Sequence, residues 1–307
     1  MLRFPDNSRV CFIGDSMTAA NQVLWRVVDC YKRNLPDSNI RFFNCGTSGS
    51  KLEFALNHFD EDILPNKPTC AVIAYAINDA WIWELGKPHS AERYEKLKNA
   101  FETYKTDIKA LCEKLKAIGV KDIIICTPPP YDEYQESETD VWKGGYALLT
   151  YYAAYIRQFA KENGYCCCDY NEFLIREIET DANRIISSDR VHPSVHGYFL
   201  MAKHFLSLQG FDIGEEIPMP EYITEWYTQV NKLREIFSVE NNIIEVEAKG
   251  LSLDEKIDFV ERYLKEKNPT DYFLQISEMY LENKTKQSEI TKSISVIYDR
   301  DILNSNI

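Results

Sequence analysis

A mainly parallel β-sheet with helices on both faces is the fold class this chain predicts, and three features predict it. Short apolar runs of strand length recur along the first two-thirds, amphipathic segments of helix length separate them, and small or polar residues follow each run. Such alternation builds a parallel sheet through right-handed crossovers. Catalytic and binding groups of such sheets lie beyond the carboxyl ends of the strands.

Arg9-Val10-Cys11-Phe12-Ile13 is the first run and ends at Gly14, as a strand buried on both faces would. Ile40 to Cys45, Cys70 to Tyr75 and Asp122 to Cys126 are the second, third and fourth. Tyr165 to Asp169 reads as a short fifth. The clearest helix lies between the third and fourth runs. Tyr94, Leu97, Phe101, Tyr104, Ile108, Leu111, Leu115 and Ile118 recur at steps of three and four, with Lys and Glu on the other face and Gly119 at the end. Tyr146 through Phe159 shows the same period.

Beyond Gly210 the texture changes. Gly214, Pro218 and Pro220 punctuate a linker, and Ile223, Trp226, Val230, Leu233 and Phe237 then repeat at helical spacing, as do Leu253 to Lys267 and Tyr272 to Leu281. The expected division is therefore 1–210 for an α/β domain and 211–307 for a mostly helical extension. The Trp226 stripe leaves an apolar seam that suits packing on the first domain, a lid, or a homodimer surface.

At 307 residues the chain has room for about two domains. Its 45% hydrophobic and 27% charged residues are those of a globular protein, not of a disordered or collagen-like one. With 35 basic against 48 acidic residues the net charge is -13, which repels phosphate backbones and anionic lipid, so neither nucleic acid nor a membrane surface is an expected partner. No apolar run reaches the ~18–20 residues that span a bilayer. The nine cysteines lack CxxC spacing, and most sit in apolar runs as small hydrophobes. With Asp6 and Pro5 interrupting the N-terminus, this reads as a reduced, cytoplasmic chain without a signal peptide.

The residues just past each strand carry the chemistry. Gly14-Asp15-Ser16 puts a hydroxyl at the sheet's carboxyl edge, near where a helix can aim backbone N–H groups. Asn44-Cys45-Gly46-Thr47-Ser48-Gly49 offers glycines whose main chain can approach an oxyanion closely. Asn78, after the third strand, has a side-chain amide of the kind that stabilises negative charge. Each alone is also the pattern of an ordinary turn or cap, and for the first two that is the stronger reading in isolation. Near the end of the domain, Asp189 lies three residues before His192 and can hold one imidazole tautomer if the turn brings it back. Asp189, His192 and His196 also have metal-ligand residue types, but Pro193 drives His192 away from helical backbone, so a shared helix face with His196 is not expected. No metal and no cofactor is expected, and His196 reads as a packing or hydrogen-bonding residue.

Taken in order, these segments resemble the SGNH (GDSL-type) hydrolases, a family of esterases and lipases. Gly14-Asp15-Ser16 resembles its first block, Ser48-Gly49 its second, Asn78-Asp79 its third and Asp189-Arg190-Val191-His192 its fifth, over roughly residues 8 to 207. The resemblance implies a three-layer α/β/α sandwich around a five-stranded parallel sheet. It also implies a Ser16–His192–Asp189 triad and an oxyanion hole from the N–H groups of Ser16 and Gly49 with the Asn78 amide. Gly46 competes with Gly49 for that role. One departure is Ala76, where the family usually carries glycine.

The expected activity is hydrolysis of short-chain, chiefly acetyl, esters, with a small-molecule ester or an acylated sugar as substrate. Asp15, Trp81, Trp83 and Trp142 are candidate substrate-binding residues, and Tyr131 and Tyr134 are further aromatics near the expected loops; packing under those loops explains the aromatics equally well. Two rival readings use the same scaffold: an acyltransferase, and a non-catalytic carbohydrate-binding or interaction module.

Overall fold

A computed structural model describes residues 3–220. Five strands form one parallel sheet: β1 (Arg9–Gly14), β2 (Arg41–Gly46), β3 (Cys70–Ala74), β4 (Asp122–Cys126) and β5 (Cys166–Cys168). Their order across the sheet is β2-β1-β3-β4-β5, so the chain leaves β1 to one side for β2 and crosses back to the other for β3. Beyond the carboxyl ends of β1 and β3 lies the crevice that this reversal opens. Every run expected to be a strand is one, within a residue or two at its ends.

Seven α-helices lie among the described residues: α1 (Ser16–Ala19), α2 (Gln22–Asn34), α3 (Leu52–Asn57), α4 (Ala91–Ala117) and α5 (Gly145–Asn163) between the strands, and α6 (Tyr170–Thr180) and α7 (Val195–Ser207) after the last. Helix α2 packs on α7 and α7 on α6, while α3 packs on α4. Tyr104 and Phe101 of α4 meet Tyr152 of α5 at ring distances of 5.0 and 4.9 Å. Two helical layers thus enclose the sheet. The inner strands β1, β3 and β4 are buried along nearly their whole length, with Val10, Cys11, Ile13, Ala71 and Ile73 at 0% exposure, which is why they read as continuous apolar runs.

Helix α4 follows its expected stripe except at Tyr94, which is exposed. A 27-residue helix is roughly 40 Å long against roughly 17 Å for a five-residue strand, so its first turns overrun the sheet. The expected domain boundary falls at residue 210, and the described residues run ten further. Phe211 is buried, with its ring 5.0 Å from Tyr31 and beneath the Arg3 guanidinium. The segment 211–220 has no helix, and the helical stripes expected beyond it lie outside the described residues. All nine cysteines are free thiols.

Close approach of the chain to itself fixes the start of α1. A Cβ on Gly14 would stand 2.1 Å from Thr18 Oγ1 and 2.6 Å from the Ala74 carbonyl, so glycine alone lets α1 fold back over the strand end that carries Ser16. Gly14→Ala should therefore lower stability by about 1–3 kcal/mol, read as a fall in the urea midpoint at unchanged slope. An unchanged midpoint would show that α1 can move aside at no cost.

Candidate active site

Ser16 opens α1 directly after β1. Its helix is capped by Asp15, whose Oδ1 accepts the Met17 N–H at 3.0 Å. Across the crevice, the chain before α7 folds into a tight turn: Ile186 bridges Pro193, and the Ser187 N–H donates to the His192 carbonyl at 2.8 Å. The turn brings Asp189 back to His192, whose Nδ1 lies 2.6 Å from Asp189 Oδ2. His192 Nε2 lies 2.7 Å from Ser16 Oγ.

Charge decides the direction of each hydrogen bond. Partial burial pushes the Asp189 carboxyl upward, but the His192 N–H, the His192 imidazole, the Val191 N–H and the Ser187 hydroxyl together hold it at about 2. An ionised carboxylate only accepts, so Nδ1 of a neutral imidazole carries the hydrogen and Nε2 is left to accept from the Ser16 hydroxyl. The relay therefore points from Ser16 toward His192. Asp189 and His192 keep 47% and 39% side-chain exposure, so the site is open to water.

The turn after β2 and the loop after β3 meet beside it, where Asn78 Nδ2 donates to the Ser50 carbonyl at 2.9 Å. The Gly46 N–H is taken by Asn44 Oδ1 at 3.0 Å. Gly49 is exposed at φ +74, a left-handed conformation that favours glycine. Ala76 is buried, and it lines an apolar cavity of about 40 Å³ with Met17, Thr18 and Ala74. A methyl group at this position is thus absorbed by the interior, and Asn78 keeps its place on the loop.

Of the expected substrate-binding residues, Asp15 is 0% exposed and is occupied in capping α1. Its short side chain turns back into its own helix and does not reach an open surface. Trp142 stacks on buried Tyr131, with centroids 5.8 Å apart and planes 7° apart, and its backbone N–H donates to the Tyr131 hydroxyl. Trp81 has the ammonium groups of Lys51 and Lys96 at 3.6 and 4.1 Å from its ring centre, and Trp83 at 5.4 Å. Tyr134 is 79% exposed, edge-on to Tyr146. His196 lies in α7, apart from the relay, between Asp181 Oδ2 at 2.7 Å and Glu216 Oε2 at 3.0 Å. Among the described residues no group of three or more His, Cys, Asp or Glu is arranged to hold a metal ion.

Two features carried no sequence signal. Arg190, inside the Asp189–His192 spacing, is a buried arginine, and Ser187 supports Asp189. Asp79 was visible only as the neighbour of Asn78. Its Oδ1 accepts the Leu52 N–H at 2.9 Å and pins α3, while its Oδ2 is buried without a hydrogen bond.

The profile of the GDSL-like Lipase/Acylhydrolase family matches residues 12–200. An acetylxylan esterase of Geobacillus stearothermophilus is 25% identical over 226 residues, 69% of this chain and 98% of that protein. The crystal structure of an acetylxylan esterase from the same organism has a TM-score of 0.57 at 23% identity, covering 70% of this chain and 100% of that one. Its catalytic mutants include a serine, an aspartate and a histidine each changed to alanine. A gut microbial diltiazem-metabolizing enzyme has a TM-score of 0.61 at 24% identity over 69% of this chain. This chain spans about half of that enzyme, 48% of its length.

Burial pushes Asp79 up from 3.8 to about 7, against the Leu52 N–H, with the Asp15 charge adding to the rise. Burial likewise lifts Asp15 to about 6, against the Met17 N–H and His192. A carboxyl raised in the folded state keeps a proton that the unfolded chain has released, so these groups make stability fall as pH rises from about 4 to 7. Asp79→Asn keeps an acceptor for Leu52, and its melting temperature should gain on the parent's as pH is raised across that range. A difference that stays constant with pH would mean that Asp79 ionises like an exposed carboxyl.

Proposed function

The chain belongs to the GDSL-like lipase/acylhydrolase family, which makes it a carboxylic ester hydrolase, and from that premise we propose a serine esterase that removes short acyl groups, chiefly acetyl, from carbohydrate esters. The observation that carries the reading is the continuous relay Asp189–His192–Ser16, with links of 2.6 and 2.7 Å.

In this mechanism Ser16 Oγ attacks the ester carbonyl carbon while His192 Nε2 takes its proton, and Asp189 stabilises the resulting imidazolium. The carbonyl oxygen becomes an oxyanion held by the N–H groups of Ser16 and Gly49 and by the Asn78 amide. Each such donor is typically worth about 3–4 kcal/mol of barrier. Occupation of the Gly46 N–H by Asn44 favours Gly49 for this role. Collapse of the intermediate expels the alcohol, which takes the proton from His192 and leaves an acyl group on Ser16. Water then attacks the acyl-enzyme, again giving its proton to His192, and the acid leaves as Ser16 is restored.

Acetylxylan esterase relatives that match along almost their whole length support an acetylated sugar as the alcohol half. Trp81 and Trp83, on the loop that follows Asn78, remain the candidate sugar-facing aromatics, whereas Trp142 is committed to packing on Tyr131. Exposure of Asp189 and His192 leaves water as the ready acceptor, which favours hydrolysis over acyl transfer. An intact relay weighs against a purely binding module. The catalytic unit is residues 1–210, with 211–307 as an appendage.

Ser16→Ala should lower p-nitrophenyl acetate turnover on the order of 10⁴-fold or more, and a variant that kept its activity would remove Ser16 from the chemistry. Across p-nitrophenyl esters of rising length, kcat/KM should be highest for acetate and fall well before octanoate. A preference for the longer chains would defeat the short-acyl assignment.

A further inference from the structure

The turn that carries Asp189 and His192 is fastened at a residue the relay does not use. Arg190 has a left-handed backbone at φ +68, and its side chain is 3% exposed. Left-handed backbone is unfavourable for a residue with a side chain, so it persists where surrounding contacts dictate it. Arg190 Nε donates to the Thr139 carbonyl at 3.1 Å, and Nη1 donates to the carbonyls of Asp132 at 3.1 Å and Gln135 at 2.8 Å. All three acceptors belong to the single connection between β4 and α5. Asp132 shapes that connection for the purpose: its Oδ1 accepts the N–H groups of Tyr134 and Gln135, curling the chain so that two carbonyls converge on one nitrogen.

Main-chain bonds run alongside. The Asp132 N–H donates to the Arg190 carbonyl at 2.9 Å, and the Arg190 N–H donates to Ser187 at 3.0 Å. The Ser188 carbonyl accepts from Thr139 Oγ1 at 2.8 Å and from the Ser137 hydroxyl. The residue on each side of Asp189 is therefore tied to the β4–α5 connection, while Asp189 and His192 themselves stand half open to solvent.

We propose that Arg190 is a positioning residue for the ester cleavage: by clamping the β4–α5 connection to the 186–193 turn, it holds Asp189 and His192 at reacting distance from Ser16. The inference rests on the esterase reading for its kinetic consequence, though the clamp itself does not. A planar guanidinium with several fixed N–H groups suits three carbonyls around one side chain, whereas a lysine ammonium is a point charge with no such fork. Release of the clamp leaves buried carbonyls without partners and lets the imidazole drift. A displacement of about 1 Å in a catalytic group is enough to cost on the order of 10²-fold in rate.

The test uses Arg190→Gly, which relieves the backbone and removes the clamp, and Arg190→Lys, which keeps the charge and is the milder change should the glycine variant not fold. Both should lose on the order of 10²-fold in kcat for p-nitrophenyl acetate, with KM changed by less than about threefold. Added ethylguanidinium should restore at least about tenfold in Arg190→Gly, and ethylammonium should not, because only the former offers the fork. Folded variants with the parent's kcat would overturn the proposal, as would equal rescue by ethylammonium. Amide exchange over residues 186–193 reads the clamp without turnover and should quicken in Arg190→Lys; unchanged exchange there also overturns it. Wild-type protein inert towards p-nitrophenyl acetate would count against the esterase reading, and the exchange measurement would still decide the clamp.

Discussion

The hydrogen bond between Ser16 Oγ and His192 Nε2 joins positions 176 residues apart, and the proposed chemistry depends on that one contact. Its 2.7 Å length is achieved by two short elements that never touch in sequence. One is the strand end at Gly14, which must be glycine for α1 to fold back across it. The other is the 186–193 turn, where Asp189 satisfies two backbone N–H groups and one imidazole with a single carboxylate. The five-stranded sheet between them acts as a rigid spacer. Close-packed strands with several side chains at 0% exposure give it little freedom to drift.

Carboxylates near the crevice are driven in opposite directions by their surroundings. Asp189 is half exposed and surrounded by donors, so it is held ionised at about 2. Asp15 and Asp79 are buried with one oxygen each left without a partner, and burial lifts them to about 6 and about 7. The first accepts from an imidazole; the other two anchor α1 and α3 through N–H bonds. Environment, rather than residue type, separates these tasks.

The connection between β4 and α5 shows how a loop can serve a site without contributing to it. Its carbonyls converge on Arg190, and its Tyr131 and Trp142 stack on one another. Aromatic residues near an open site suggest ligand platforms when only their positions along the chain are known. Here Trp142 completes the packing of a clamp, whereas Trp81 stands among lysines on a different loop.

The order of strands and helices was legible in the sequence because burial on both faces leaves a strand as an unbroken apolar run, and burial on one face leaves a helix with a period of 3.6. Ser16, Asn78, Asp189 and His192 were legible because each follows a strand or keeps a short local spacing. What local pattern could not supply was reach. The burial of Asp15 and the clamp at Arg190 both depend on groups from distant segments. By itself the sequence determined the α/β scaffold and named the candidate reactive side chains, since both are written in short-range periodicity and residue type. Only the tertiary structure decided which of those side chains meet, which are sealed away and what holds them in register, because hydrogen bonds and burial act through space between segments whose separation along the chain is arbitrary.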